Sequence, residues 1–177
     1  ACGSPSRKEL AAAGMRVIGV DAGPHYNPAV DFLNDEAEML KLLWSGERTT
    51  SGENSINPWS GTGVGGGTLV WCGVTPRFQP DDFRIRSVDG LGHDWPIGYD
   101  ELERHYAQVE EDFGVAGLAG ENPYEGPRSG PFPMPPLPFS YQGQVLAEGV
   151  KRLGGHPMHG PLAIASVPYR GREACIN

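Results

Sequence analysis

The densest group of glycines in the chain is the stretch at residues 61–67, where five of the seven residues are glycine. Glycine has no side chain, so such a stretch exposes main-chain N–H groups and lets a bulky ligand approach them. Thr68 adds a hydroxyl group, and we expect burial of Leu69, Val70 and Trp71 to anchor the stretch. The Gly-Lys-Ser/Thr sequence of a Walker phosphate loop does not follow it. The pattern therefore predicts contact with a ligand in preference to a flexible linker.

A second pattern places Gly3 and Asp21 at the two ends of a helix–strand unit. Residues 6–13 predict a helix capped by Ser4, and residues 15–20 predict a short apolar strand that ends at Asp21. In dinucleotide-binding folds, a glycine-rich turn precedes the helix, and an acid at the end of the second strand binds the adenosine ribose hydroxyls. Gly3 fits the last glycine of such a turn. Taken alone, this half motif is equally compatible with an ordinary helix and strand that carry a surface aspartate.

The composition argues against some classes of function. The chain has 177 residues, enough for one domain, and its formal net charge of -8 argues against a general binder of nucleic acid or anionic membranes. No apolar run approaches the roughly 20 residues of a membrane-spanning helix. The three cysteines lie far apart, so no disulfide framework is predicted. A soluble protein is expected, and the choice between cytoplasm and periplasm stays open.

Several further elements follow from the pattern of apolar residues. Residues 99–113 predict the clearest helix, ended by Gly114, with its four glutamates and Asp112 on a solvated face. Ser140 begins a second helix that extends to about Leu153. We also expect a helix in the later part of residues 29–44, a loop with a short turn at 81–92, an extended proline-rich connection at 123–139 and a short strand at 162–165.

Five segments of the chain resemble the glucose–methanol–choline (GMC) oxidoreductases, in particular the branch with gluconate- and sorbose-type sugar dehydrogenases and pyranose oxidases. The second and third segments are specific in combination, whereas the first is shared by flavoproteins in general. The segments are KELAAAGMRVIGVDAGP (8–24), GVGGGTLVWCGVTPRFQPDDFRIRS (63–87), DWPIGYDELERHYAQVEEDFGVAG (94–117), PFPMPPLPFS (131–140) and GREAC (171–175).

The resemblance implies that a set of residues binds FAD. Asp21 takes the place of the acid, usually glutamate, that binds the adenosine ribose, and Gly3 takes that of the third glycine of the pyrophosphate turn. Some relatives attach FAD covalently through a histidine at the position of Val70, and valine cannot form that bond. FAD is therefore expected to bind non-covalently. The other residues expected to contact it are Ala22 and Gly23 after the acid, Gly65, Gly66, Gly67 and Thr68 beside the flavin, and Trp71, Cys72 and Gly73, with Val70, near its ring system.

The activity implied for the complete protein is oxidation of an alcohol group on a sugar or polyol, such as a gluconate-type substrate, by hydride transfer to the flavin. The catalytic histidine of the family, with its His or Asn partner, lies near the C-terminus of a longer chain. Nothing in residues 1–177 matches it, so the isolated chain is expected to be inactive. A free thiol at Cys175 is favoured over the iron–sulfur cluster that some relatives carry. The electron acceptor stays open.

Two other interpretations also stay open. One is an NAD-binding dehydrogenase or reductase domain that shares the unit around Asp21, and the other is an inactive remnant or a binding module. The stretch at 61–73 argues against the NAD domain, which does not need it. The five histidines show no metal-like pairing with carboxylates, so no metal site is predicted.

The predicted fold class is α/β. We expect a partial, Rossmann-like, GMC-type FAD-binding domain at residues 1–122, followed at 123–177 by the proline-rich connection and the start of a substrate-binding region. Both ends of the chain are expected to be cut, with the first strand of the unit lying before residue 1. Without that central strand, the hydrogen-bonding groups of the sheet would be left bare.

Overall fold

A computed structural model describes residues 3–32, 35–43 and 60–175. Their contacts form two compact units, Ala1–Cys72 and Gly73–Asn177. The predicted domain boundary between residues 122 and 123 falls inside the second unit. That boundary concerns the complete protein and stays a prediction.

The described residues form helices joined by loops. In chain order, the helices are α1 (Gly3–Ala12), α2 (Pro28–Asp31), α3 (Glu36–Met39), 3-10 turns at Leu40–Leu42, Gly66–Val70 and Pro80–Arg84, α4 (Ile85–Asp89), α5 (Tyr99–Phe113) and α6 (Tyr141–Arg152).

The predicted strand at residues 15–20 is wrong for the part of the chain that the structure describes. The Met15 N–H donates to the Leu10 carbonyl at the end of α1, at 3.0 Å, and Gly19 lies against the Arg7 side chain of the same helix. The side chains of Ile18 and Val20 are 88% and 94% exposed. A strand needs a neighbouring strand to take up its main-chain groups, and no described segment pairs with this one. The helix before it is confirmed, but it begins at Gly3, so Ser4 lies inside its first turn.

The α/β sheet that the sequence predicts is likewise not formed by the described residues, which contain only isolated β-bridges. In the second unit, Ala116 forms β-bridges with both Met134 and Leu162. Within the predicted strand at 162–165, only Leu162 forms a β-bridge. Val115, Ala116 and Met134 are almost fully buried. The proline-rich stretch therefore packs into the core of this unit at Met134.

Residues 80–89 are helical, so the predicted loop at 81–92 is wrong for residues 81–89. Pro80 stands at the first helical position, where its missing N–H is not needed, and the Asp82 carboxylate accepts a hydrogen bond from the Gln79 N–H at 2.6 Å. Phe83 is buried beside Trp95, with ring centroids 6.1 Å apart. The helix-start signals were present in the sequence, but the run contains too few apolar residues to reveal a period.

Both long helices are confirmed. In α5, the Gly98 N–H donates to the Glu101 carboxylate at 2.9 Å, and Gly114 follows the last residue. In α6, the Ser140 hydroxyl accepts from the Gly143 N–H at 3.1 Å, as expected of a helix cap. The helix predicted in the later part of residues 29–44 is broken into α3 and the 3-10 turn that follows it, within residues 35–43.

The prediction that the carboxylates of α5 lie on a solvated face is wrong for Glu110 and Glu103. Glu110 is 6% exposed and lies between two arginines that reach α5 from other segments. Arg77 donates to both of its oxygens at 2.8 Å, and Arg128 also donates to both, at 3.2 and 2.5 Å. Glu103 accepts from Arg77 at 3.0 Å and from the Ser129 N–H at 2.9 Å. The pattern of charges along one helix does not reveal which residues of other segments will pair with it.

This ion-pair network ties three segments of the second unit together. Arg77 precedes the helical turn at 80–89, Arg128 lies at the start of the proline-rich stretch, and Glu110 lies near the end of α5. Burial lowers the pKa of Arg77, but its hydrogen bonds to Glu110, Tyr99 and Glu103 outweigh burial and raise the pKa above its usual value. The guanidinium therefore remains charged, and the buried carboxylate remains compensated.

We predict that Glu110→Gln lowers the free energy of unfolding of the protein by about 3 kcal/mol, because it leaves two buried arginines short of a counter-charge. Urea denaturation measures the change. Glu148→Gln is the matched control, since Glu148 pairs with Arg152 on the exposed surface of α6. It should change stability by less than about 0.5 kcal/mol. Equal effects of the two substitutions would contradict a structural role for the buried pair.

Candidate functional site

In the first unit, the turn after Asp21 lies directly against the glycine-rich stretch. The Val64 N–H donates to the Pro24 carbonyl at 2.9 Å. The main chains of Gly23 and Gly63 are so close that a Cβ atom added to Gly23 would overlap the backbone of Gly63. The fold thus brings together the two segments that the sequence singles out, which are about 40 residues apart in the chain.

The Asp21 carboxylate is exposed at the beginning of this turn. One of its oxygens, Oδ1, accepts a hydrogen bond from the Gly23 N–H at 2.9 Å. This local bond orients the side chain as in an Asx turn and leaves acceptor capacity on the carboxylate. A ligand with neighbouring hydroxyl groups, such as a ribose, suits an acceptor of this kind. Ala22, which lies between Asp21 and Gly23, is also exposed.

Within the glycine-rich stretch, several polar groups are engaged with one another. The Gly66 N–H donates to the Gly63 carbonyl at 2.9 Å, and the Thr68 N–H donates to the Gly65 carbonyl at 3.2 Å. The Thr68 hydroxyl donates to the same carbonyl at 2.6 Å. These bonds build a compact turn into the 3-10 helix Gly66–Val70, with Gly67 exposed on it. The turn is shaped by its own hydrogen bonds, so not every amide in it is available to a ligand.

The expected burial of Leu69, Val70 and Trp71 is wrong in large part. Val70 and Trp71 are 39% and 40% exposed, and Cys72 is exposed and forms no disulfide among the described residues. Only Leu69 packs inward, with its side chain over Gly63. An anchored loop that displays apolar side chains can offer them to a flat ring ligand.

Two of the predicted residues stand apart from these contacts. Gly3 is the first residue of α1, and Gly73 is the first residue of the second unit. Gly73 is buried there, with its carbonyl accepting from the Ala163 N–H at 2.7 Å and Ile164 packed against it. Of the segments predicted to bind the cofactor, those joined by contact in the first unit are therefore 21–24 and 61–69.

The second unit holds a polar pair that the sequence analysis missed. His159 Nδ1 lies 2.8 Å from Glu121 Oε2, and the same carboxylate oxygen accepts from the His159 N–H at 2.9 Å. The His159 ring also stacks on Phe139, with centroids 4.0 Å apart. The sequence shows no metal-like pairing of a histidine with a carboxylate, and it gives no signal for this pair, because the two partners are 38 positions apart.

This pair borders a cavity of about 30 Å³, which Arg77, Glu125 and Phe132 also line. The cavity has room for about one water molecule, so it is too small for a sugar or a cofactor ring. Burial raises the pKa of Glu121, but the hydrogen bonds from the His159 main chain and ring, with the charge of His159, outweigh burial and lower the pKa below its usual 4.5. We regard the pair as a structural link between two loops.

Two classes of site are not seen in the part of the chain that the structure describes. No three His, Cys, Asp or Glu side chains in it converge closely enough to hold a metal ion. In those same residues, no helix combines the length and the apolar character needed to cross a membrane.

Comparison with known proteins yields several relatives, although no family model matches the chain. The chain is 40% identical over 116 residues to the fructose dehydrogenase large subunit of Gluconobacter japonicus, and this alignment covers 65% of this chain and 21% of that protein. It is 30% identical over 210 aligned residues to the gluconate 2-dehydrogenase flavoprotein of Pantoea cypripedii, covering 94% of this chain and 34% of that protein. It is 31% identical over 179 residues to the 2-methyl-1,2-propanediol dehydrogenase of Mycolicibacterium austroafricanum, covering 95% of this chain and 32% of that protein. The chain thus spans between a fifth and about a third of the length of these relatives.

We predict that the contribution of Glu121 to stability disappears in acid. Its pKa is lowered on folding, so the stabilisation is complete above 4.5 and is lost as the pH falls through the folded-state value. Glu121→Gln should therefore reduce stability at pH 7 by about 1 kcal/mol and differ progressively less from the unmodified protein below pH 4.5. Thermal unfolding across this pH range measures the difference. A gap that is independent of pH would contradict this account of the pair.

Proposed function

Because this chain belongs to the glucose–methanol–choline (GMC) family of FAD-dependent oxidoreductases, we propose that it forms part of the FAD-binding region of an enzyme that oxidises an alcohol group. The substrate class we infer is a sugar or polyol, since the relatives include proteins named for fructose, gluconate and a propanediol. The complete protein would have an α/β, Rossmann-like FAD-binding domain.

One observation in the structure carries this proposal: the contact between the turn at 21–24 and the glycine-rich stretch. A dinucleotide that includes a flavin is long, so its adenosine and flavin ends need separate binding elements held at a set spacing. Asp21 offers an exposed, oriented carboxylate for ribose hydroxyls. Residues 65–68 offer a compact turn without bulky side chains, followed by exposed Val70 and Trp71.

The roles of this chain in the reaction are those of binding and orientation. Asp21, Ala22 and Gly23 would hold the adenosine end of FAD, and Gly65, Gly66, Gly67 and Thr68 would line the flavin. When bound, FAD supplies the acceptor for the hydride that leaves the alcohol carbon. Gly3 would contribute to the pyrophosphate site, and Trp71, Cys72 and Gly73 to the surroundings of the ring system. The base that removes the hydroxyl proton would come from residues outside this chain.

The cofactor itself provides the first test. The complete protein should be isolated with FAD, and its apoprotein should bind FAD in preference to NAD in a fluorescence titration. A colourless protein that takes up no FAD would contradict the proposal, and preference for NAD would instead support a nicotinamide-binding domain. Val70 cannot form a covalent link to the flavin. All of the flavin should therefore pass into the supernatant when the protein is precipitated with acid.

We predict that Asp21→Ala weakens the binding of FAD by about tenfold to a hundredfold, because hydrogen bonds to a carboxylate contribute roughly 1.5–3 kcal/mol. Asp21→Asn should have a smaller effect, since its amide oxygen can still accept from the Gly23 N–H and preserve the turn. Dissociation constants from titration of the apoproteins provide the measurement. Asp89→Ala, at an exposed aspartate in α4, is the matched control and should bind FAD normally.

We also predict that residues 1–177 expressed alone oxidise no alcohol, because none of their histidines matches the catalytic position of the family. The assay follows reduction of an artificial acceptor dye with gluconate, sorbose and fructose as substrates. The complete protein serves as the positive control. Turnover by the isolated chain would show that the chemistry had been assigned to the wrong part of the protein.

A further inference from the structure

We propose that Gly63 and Tyr26, neither of which is expected to touch the cofactor, are positioning residues that set the spacing between the two ends of the FAD site. The proposal rests on the proposed function and adds that one backbone contact sets the spacing between the two groups that bind FAD. It concerns the glycine contact, by which we mean the meeting of the Gly23 and Gly63 main chains.

The geometry of the contact leaves no room for a side chain on either partner. A Cβ atom on Gly23 would overlap the Gly63 backbone. A Cβ atom on Gly63 would lie 2.6 Å from the Tyr26 ring and 2.7 Å from Leu69. Gly63 is also buried and has a φ of +133°, which side-chain-bearing residues rarely adopt. The contact therefore requires glycine on steric grounds at both positions and on conformational grounds at Gly63.

Tyr26 closes the contact from the side. Its half-buried ring lies against Gly63 and packs on Phe32, with ring centroids 6.0 Å apart. The hydrogen bond from the Val64 N–H to the Pro24 carbonyl crosses the same junction at 2.9 Å. Backbone contact, aromatic packing and a main-chain hydrogen bond thus all hold the turn at 21–24 to the stretch at 61–69.

This junction lies between the proposed binding groups at both ends. Asp21 is two residues before Gly23 and is hydrogen-bonded to it, while Gly65 follows Gly63 by two residues. A displacement at the glycine contact must therefore alter the spacing between Asp21 and residues 65–68. A ligand that bridges both groups gains affinity only when the two sites are spaced to match it. A ligand that uses only the Asp21 side is indifferent to that spacing.

The test compares a bridging ligand with a short one, using apoprotein of the complete protein. FAD spans both sides, and AMP carries only the adenosine ribose and one phosphate. Gly23→Ala and Gly63→Ala should each weaken FAD binding by about tenfold to a hundredfold, as expected for a misplacement of about 1 Å. For Gly63→Ala, the dissociation constant for AMP, measured by its competition with FAD, should stay within about twofold, because this change leaves Asp21 and its hydrogen bond to the Gly23 N–H in place.

Three controls sharpen the comparison. Gly130→Ala lies where a Cβ atom meets nothing within 4 Å, so it should bind FAD normally. Because both glycine substitutions act at one contact, the double variant should be scarcely worse than the poorer single variant. Tyr26→Ala creates no steric overlap, and it should weaken the binding of FAD but not the binding of AMP. Tyr26→Phe keeps the ring and should bind FAD normally.

The outcomes separate the two proposals. If the unmodified apoprotein binds no FAD, the proposed function fails. If it binds FAD and the glycine variants bind it equally well, the positioning role is overturned. The role is also overturned if Gly63→Ala loses FAD and AMP in parallel while its melting temperature is unchanged. If Gly63→Ala does not fold, the comparison of Tyr26→Ala with Tyr26→Phe tests the positioning role instead. Equal FAD affinity in those two variants overturns the role of the ring.

Discussion

The close approach of two main chains at Gly23 and Gly63 is the constraint on which the first unit depends. A Cβ atom on Gly23 would overlap the Gly63 backbone, and a Cβ atom on Gly63 would overlap the side chains of Tyr26 and Leu69. The approach holds the turn that begins at Asp21 against the stretch that leads to Thr68, although neither segment belongs to a sheet. An exposed carboxylate and a compact glycine turn thereby become parts of one surface, and the proposed role in binding a long dinucleotide depends on that surface.

The second unit is organised by a different interaction, a buried carboxylate between two arginines. Glu110 takes both of its oxygens into contact with Arg77 and Arg128, and the three residues come from segments that are distant in sequence. Such a network, which Glu103 and Glu125 complete, contributes less to net stability than its short distances suggest, because its charges lose hydration. Its larger effect is on specificity, since removing the carboxylate leaves two buried cations. The geometry thus favours one arrangement of α5 with the proline-rich stretch.

The exposed apolar segment at 15–20 shows how local sequence preference and tertiary context diverge. Its β-branched residues favour an extended conformation, but in the structure these residues are assigned to neither a helix nor a strand. A strand is nevertheless defined by the neighbour that accepts its hydrogen bonds, and none of the described segments pairs with this one as a strand.

The sequence by itself determined the features that depend on neighbours along the chain. Helices α5 and α6, the cap at Ser140 and the two glycine-bearing segments were all predictable, because helix periodicity, caps and turns are properties of a few consecutive residues. Tertiary structure alone decided the burial of Glu110, the pairing of His159 with Glu121 and the meeting of Gly23 with Gly63. Each of these joins groups that are 18 to about 40 residues apart, and a one-dimensional pattern does not record which distant group will satisfy a charge or fill a gap.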